Sequence, residues 1–558
     1  MGRYTRALAV STRDRWLAAG LVALVVAAYL PVLSAGYVWD DDRHVTANAV
    51  LTAPHGLAAA WITLDATPQY YPLTHTVFWL EHALWGFAPA GYHLVNVLLH
   101  ALSAVLLFRI LVLLEIPGAF LAAAIFGVHP VHVESVAWVS ELKNALSGVL
   151  YLGASRLFLG WALGRERGDA RPLFAALLFA CALLSKTVTA SWPVAMAIVL
   201  WWKTGTVERR AALWLAPLLA LGALFGGITH HLERTQVGAS GAEWELSLLG
   251  RLALSGRIVW FYLAKLVWPY PLIFIYPRWT IDATSILAWI WIVGVGAAFV
   301  LCRRLSRGAF AALAFFVVTL APALGFFDVY PMRYAFVADH FQYLASIAPI
   351  VLFAAFLAKR RWTLQAAAAL VVALASLTAV RATAYRDEET LWRDTIARNP
   401  SAWIAHNNLG ILLAEKGRND EAAAAFARVL ALKPDHAGAR ANLGYLQELQ
   451  GKPAEAAATL TLAAPDRPGD ADLRVHLVRD LIATGRFDEA VAPAVEAARL
   501  RPDDPDILCD AGTLLARAGR TAEAIPLLER AVKLRPGFAR AQANLDLARR
   551  VGYPRDPR

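Results

Sequence analysis

Cysteine is scarce. The chain of 558 residues has three, Cys181, Cys302 and Cys509, too far apart for the paired spacings of a disulfide framework or a zinc knuckle. Apolar runs long enough to span a bilayer are missing from residue 385 onward, where Ala, Arg and Glu dominate. Before residue 381 there is no internal duplication of the kind that marks many transporters. These absences exclude a small secreted scaffold, argue against a transporter, and divide the chain into two unlike modules, 1–384 and 385–558.

Hydrophobic residues make up 58% and the mean hydropathy is +0.47, which is too apolar for a soluble enzyme of this length. The first module therefore reads as a polytopic helical membrane domain. A first span is expected over 16–35, behind Arg3, Arg6, Arg13 and Arg15; its length of about 20 residues exceeds a signal-peptide core. Ten more are expected near 92–113, 118–134, 144–163, 172–186, 188–202, 211–230, 284–302, 309–326, 341–358 and 363–380, giving about eleven. The cationic loops Arg165/Arg167/Arg171, Lys203/Arg209/Arg210, Arg303/Arg304/Arg307 and Lys359/Arg360/Arg361 all fall on the cytoplasmic side if 247–268 and 73–86 lie in the interface instead of crossing. Much of the net charge of +10 sits in these loops, so it reports topology and not nucleic-acid binding. The amino terminus is then cytoplasmic, and everything beyond residue 381 is extracytoplasmic.

The same topology gathers polar groups at the outer boundary. Asp40, Asp41 and Asp42 follow the first span in the stretch Tyr37-Val38-Trp39-Asp40-Asp41-Asp42-Arg43-His44; His129, His132 and Glu134 end the third; Lys143 opens the fourth; Lys186 joins the fifth and sixth; Asp328, Arg333, Asp339 and His340 precede the tenth. Adjacent carboxylates raise one another's pKa and make a proton acceptor or a cation site, so a divalent cation is possible and no other cofactor is indicated. A bare Asp triplet can equally solvate a loop and cap a helix. His129, His132 and Glu134 are metal-ligand types, but Pro130 between them breaks helical spacing, which favours helix-end hydrogen bonding or substrate contact. Lys143, Lys186 and Arg333 suit a phosphate, or simply snorkel at helix ends.

In the second module Pro400, Pro434, Pro468, Pro502 and Pro536 recur every 34 residues, as do Gly417, Gly451, Gly485 and Gly519 and the Glu-Ala pairs from Glu421, Glu455, Glu489 and Glu523. That period is a tetratricopeptide array. Four full units are expected over about 401–536, a leading half-unit helix over 387–399 and a capping helix over 537–550. Its concave surface suits an extended protein or peptide partner.

Val38-Trp39-Asp40-Asp41 with Asn48, Tyr71-Pro72-Leu73, Gly91-Tyr92-His93-Leu94-Val95-Asn96 with His100, and His129-Pro130-Val131-His132-Val133-Glu134-Ser135-Val136-Ala137-Trp138, followed by the repeats, resemble the transmembrane and tetratricopeptide-repeat O-mannosyltransferases and their bacterial relatives. The resemblance implies an all-α, C-type glycosyltransferase fold of about eleven spans plus a solenoid. It further implies a polyprenyl-phosphate sugar donor, an outer-face active site in a bacterial inner membrane, and a base at Asp40 or Asp41 supported by Asp42. Leu184-Ser185-Lys186 corresponds to the family's Leu-Ser-Lys element. Asp339-His340-Phe341-Gln342-Tyr343-Leu344 matches its late Arg-Tyr element loosely, and Lys143-Asn144 stands where a basic-acidic pair is usual, which leaves the sugar open. Expected partners are the lipid-linked donor, membrane lipids and a protein or peptide acceptor on the repeats, with no nucleic acid. A non-catalytic, membrane-anchored scaffold is the alternative.

Overall fold

The computed structural model describes residues 11–166, 168–239, 241, 244–360 and 363–550. Four cationic residues that bear on topology, Arg3, Arg6, Arg167 and Arg361, lie outside them. Every regular element among the described residues is helical, and the contacts divide the chain into two compact units, Met1–Asn399 and Pro400–Arg558.

In the first unit, long apolar runs become long helices because nothing within them competes for the backbone. Helix Pro89–Leu113 shows how they are oriented. Tyr92, Asn96, His100, Ala104, Leu107 and Leu111 form a buried stripe, while Leu94, Leu98 and Leu102 are exposed on the opposite face, as expected for contact with lipid. Five described helices are long and apolar enough to cross a membrane: Pro89–Leu113, Val139–Ala162, Arg209–Val237, Ile286–Leu305 and Leu364–Tyr385. A sixth is obtained if Ala119–Val128 and Pro130–Ala137, bent by 50°, count as one. Pro130 causes that bend, since it cannot donate to the ladder and leaves His129 extended.

The expected eleven spans are therefore not all met, and the shortfall has a physical reason. Several apolar runs are interrupted where polar residues gather. The helix Arg171–Ser185 stops at an extended Lys186 (φ −162°, ψ 123°), and after a 3-10 turn the next, Trp192–Thr204, has 13 residues. At 1.5 Å per residue such pieces are about 20 Å long, short of the roughly 30 Å core. Helix Leu248–Val267, expected to lie in the interface and not counted among the eleven, contains Arg251, Arg257 and Lys265 and is not among the spanning helices.

The second unit is a tetratricopeptide solenoid of paired helices, from Trp403–Glu415 and Asn419–Leu432 to Thr521–Leu534, closed by Ala539–Arg550. Gly417, Gly451, Gly485 and Gly519 hold φ between +71° and +79° at the turns, a left-handed conformation that glycine adopts without a Cβ penalty. Within each hairpin a small residue faces a larger one. A Cβ on Gly410 would stand 2.9 Å from the Phe426 ring, one on Gly444 2.6 Å from Leu460, and one on Gly512 2.7 Å from Leu528. In the third repeat the sizes are exchanged: Val478 occupies the glycine position and Ala494 the large one, both buried.

One buried polar group in this unit is poorly served. Asp480 is 1% exposed and its Oδ2 has no hydrogen-bond partner. Burial, with the nearby Glu448, pushes its carboxyl up to about 6. A raised folded-state value means the folded form favours the protonated acid, so the destabilisation is absent below the unfolded carboxylate value and complete above about 6. Asp480→Asn should therefore stabilise the chain by about 1–2 kcal/mol at pH 8 and by nothing near pH 4, read as thermal unfolding of the full chain in detergent.

Candidate active site

The acidic loop leaves the first helix through a 3-10 turn, Leu30–Ser34, and runs extended to Trp39, whose φ is +49°. For a bulky residue this conformation costs about 1–3 kcal/mol and persists only where surroundings enforce it. Here an aromatic cage does so. Trp39 stacks on Trp138 (ring centroids 5.5 Å, 17°) and meets the edges of Phe274 at 5.3 Å, Trp392 at 5.9 Å and Tyr334 at 6.3 Å.

The three aspartates that follow have different fates. Asp41 is fully buried and serves the backbone: the Val38 amide donates to its Oδ2 at 2.9 Å and the Ser140 amide to its Oδ1 at 2.7 Å. Asp40 is partly exposed. Its Oδ1 accepts from the Ser140 hydroxyl at 3.0 Å, and its Oδ2 lies 3.8 Å from His44 Nε2. Asp42 is exposed and accepts from the adjacent Arg43 amide. Burial pushes the Asp41 carboxyl up to about 8, against the pull of the two amides and helped by the negative field of Asp40. Burial also raises Asp40, with Lys143 as the main opposing influence. Close like charges of this kind do not ionise independently of each other.

The same turn supplies a group that the sequence reading passed over. Glu141, one residue after Ser140, is 1% exposed and ion-pairs with two lysines: Lys143 Nζ at 3.2 Å from Oε1 and Lys186 Nζ at 2.9 Å from Oε2. Lys143 and Lys186, 43 positions apart in sequence, are thus held on one carboxylate. Both lysine side chains retain more exposure, 9% and 13%, than the carboxylate between them. Ser140 and Glu141 lie between two of the quoted motifs, and an isolated Ser-Glu carries no pattern that marks it.

The remaining expected residues form a second layer. Glu134 pairs with His340 Nδ1 at 2.9 Å and accepts from the His340 amide at 3.2 Å; Asp339 accepts from the Tyr276 hydroxyl at 2.9 Å. Asn144 donates to the His340 carbonyl at 3.0 Å and to Ser135 at 3.1 Å, so its amide fastens the late segment to the helix that carries Lys143. Burial raises the Asp339 carboxyl, and Glu134 adds to the rise. His129 pairs with the Leu266 carbonyl at 3.1 Å, while His132 pairs with the Phe126 carbonyl at 2.8 Å and with Ser346 at 2.9 Å. Both histidines are tied to the breaks in their own helix and its neighbours. Arg333 sits half-buried on the separate turn Tyr330–Arg333, which Glu233 anchors through the Tyr330 amide at 3.1 Å. Among the described residues no three His, Cys, Asp or Glu side chains group to hold a metal ion. Asp40 and Asp41 both accept from Ser140, through its hydroxyl and its amide, while Asp42 accepts from the Arg43 amide.

Fold and site together define an integral membrane protein, helical in its described elements, with a cluster of carboxylates and lysines in the first unit and a tetratricopeptide solenoid in the second. Family models described as tetratricopeptide repeat match residues 374–437, 413–474 and 476–539. Over a quarter to about a third of its length the chain is similar to proteins named as protein O-mannosyl-transferases. It is 34% identical over 188 residues to "Protein O-mannosyl-transferase Tmtc1" of Drosophila melanogaster, covering 32% of this chain and 22% of the relative. It is 32% identical over 221 residues to Tmtc2 of the same organism, covering 36% and 23%, and 34% identical over 166 residues to human TMTC2, covering 25% and 20%. The matched part spans about a fifth of each of these relatives. Among solved structures, YrrB, described as a TPR protein with an unusual peptide-binding site, is 21% identical and covers 32% of this chain and 88% of its own, with a TM-score of 0.25.

Proposed function

We propose that this protein is a membrane glycosyltransferase that moves a hexose from a polyprenyl-phosphate carrier to a hydroxyl, on a protein or peptide, at the extracytoplasmic face. The observation that carries this reading is one partly exposed carboxylate, Asp40, in the field of Lys143, which shares the buried Glu141 with Lys186. In the reaction the acceptor oxygen attacks the anomeric carbon with inversion while Asp40 takes its proton. The bond from that carbon to the phosphate oxygen breaks, and the carrier phosphate departs with the electron pair. Lys143 and Lys186 meet its developing negative charge as point charges. Asp41 shapes the loop by holding the Val38 and Ser140 amides, and Asp42 adds a supporting charge. Glu134, His340, Asp339, His129 and His132 build the wall behind the site, and Arg333 offers a further cation to the carrier. The relatives' names make mannose the first sugar to test.

The test is direct: purified full-length protein is incubated with polyprenyl-phosphate mannose and, in parallel, other hexoses, with extracytoplasmic proteins as acceptors, and the products are read by mass spectrometry. Failure to release polyprenyl phosphate with every donor sinks the reading. The pH profile offers a second check. A base must be ionised, so kcat rises as pH rises through the elevated Asp40 value. Lys143→Ala removes the cation that opposes the elevation, so the ascending limb should move to higher pH in that variant. A limb that moves to lower pH, or not at all, contradicts the pairing of Lys143 with Asp40.

A further inference from the structure

The helix that leads in sequence into the repeats, Glu388–Arg398, helps to build the loop that carries Asp40. Its Trp392 is fully buried, with its indole Nε1 donating to Glu388 at 3.0 Å, and its ring closes the cage on Trp39 at 5.9 Å and on Phe274 at 5.7 Å. A second fastening lies six residues earlier, where the Gly36 amide at the root of the acidic loop donates to the Arg386 carbonyl at 2.8 Å. The segment is itself held in place. Arg381 pairs with Asp394 at 2.5 Å, Asn399 donates to the Ile275 carbonyl at 3.0 Å, and the Tyr385 ring meets Phe274 at 5.9 Å. Left-handed Trp39 immediately precedes Asp40, so whatever holds Trp39 also sets where the Asp40 carboxylate points.

We propose that Trp392 is a positioning residue for Asp40: together with the Gly36–Arg386 hydrogen bond it clamps the acidic loop, locking Trp39 in its left-handed conformation and the carboxylate in the site. This rests on the proposed function for its catalytic consequence but not for its structural one. Shortening the indole to a methyl opens one wall of the cage, Trp39 relaxes toward an ordinary backbone conformation, and Asp40 is displaced. Displacements of about 1 Å at a reacting group lower rates about 10²-fold.

The experiment compares full-length wild type, Trp392→Ala, Trp392→Phe and Arg393→Ala in detergent; Arg393 is exposed on the same helix. Two readouts are taken: kcat and KM with polyprenyl-phosphate mannose, and hydrogen–deuterium exchange of the amides over 36–44. Trp392→Ala should lower kcat about 10- to 100-fold with the donor KM within threefold, and speed exchange over 36–44, while the other two stay near wild type. If the wild type transfers no sugar, the functional reading fails and the exchange data alone decide the clamp. Unchanged exchange over 36–44 in Trp392→Ala overturns the proposal. So does a loss in which kcat follows the fraction of folded protein and Trp392→Phe is equally damaged, because Trp392 would then be a core residue without a positioning role.

Discussion

If Asp40 is the general base proposed above, Asp40→Asn should lower the rate of sugar transfer by about 10²–10⁴-fold, the contribution usual for such a group, with the affinity for the donor little changed. The asparagine is nearly the same size, so Ser140 can keep its hydrogen bond to the side-chain oxygen, and what is lost is the acceptor for the incoming proton. Asp41→Asn gives a different result. Only one end of the amide can accept, so either the Val38 or the Ser140 amide faces an NH2 group instead of an oxygen, at a cost of about 1–3 kcal/mol for a buried unsatisfied donor. The variant should unfold at lower temperature and lose activity in step with that loss. Measuring kcat and the thermal midpoint for both variants separates the two roles. Equal losses of kcat at unchanged stability would return the base assignment to the pair as a whole.

The second large effect belongs to Glu141. Glu141→Ala leaves the Lys143 and Lys186 ammoniums without their shared counter-charge in a buried place, and removing one member of a buried ion pair costs about 3–5 kcal/mol. The lysines answer by turning toward solvent or by losing a proton, and either response removes the paired cations from the site. We expect kcat/KM for the lipid-linked donor to fall at least 10²-fold, chiefly through KM, along with a lower thermal midpoint. Glu141→Gln keeps the shape without the charge and should retain more of the midpoint than of the donor affinity. Donor titrations at saturating acceptor distinguish the cases. A Glu141→Gln protein with wild-type KM would show that Lys143 and Lys186 do not bind the carrier phosphate.

Much of the solenoid was legible because its signals are local: a glycine every 34 residues that must turn left-handed, and a proline that stops the second helix. The acidic stretch stood out for a similar reason, since carboxylates directly after an apolar run are costly wherever they go. Lys143 and Lys186 could be picked out as cations at helix ends. Their common anchor could not, because Glu141 is a single acidic residue whose meaning arises only when Lys186 arrives from another helix. Trp392 was hidden by its address: residues just before a repeat array read as part of the array, whereas this side chain packs on Trp39, more than 350 positions earlier. The described helices do not recover the count of about eleven, because hydropathy does not register breaks such as those at His129 and Lys186, where the backbone leaves the helix.

The exchange of sizes at Val478 and Ala494 bears on how the array can change. In every repeat the two facing positions are 16 residues apart and belong to one hairpin, so the steric fit is private to each 34-residue unit. Whole units can be duplicated, deleted or reordered by recombination without opening a cavity or creating a clash between those two helices. A single exchange such as Gly410→Val does not have that freedom, because Phe426 already fills the space. The solenoid is thus built to vary in steps of a whole repeat, so its length can evolve independently of the first unit.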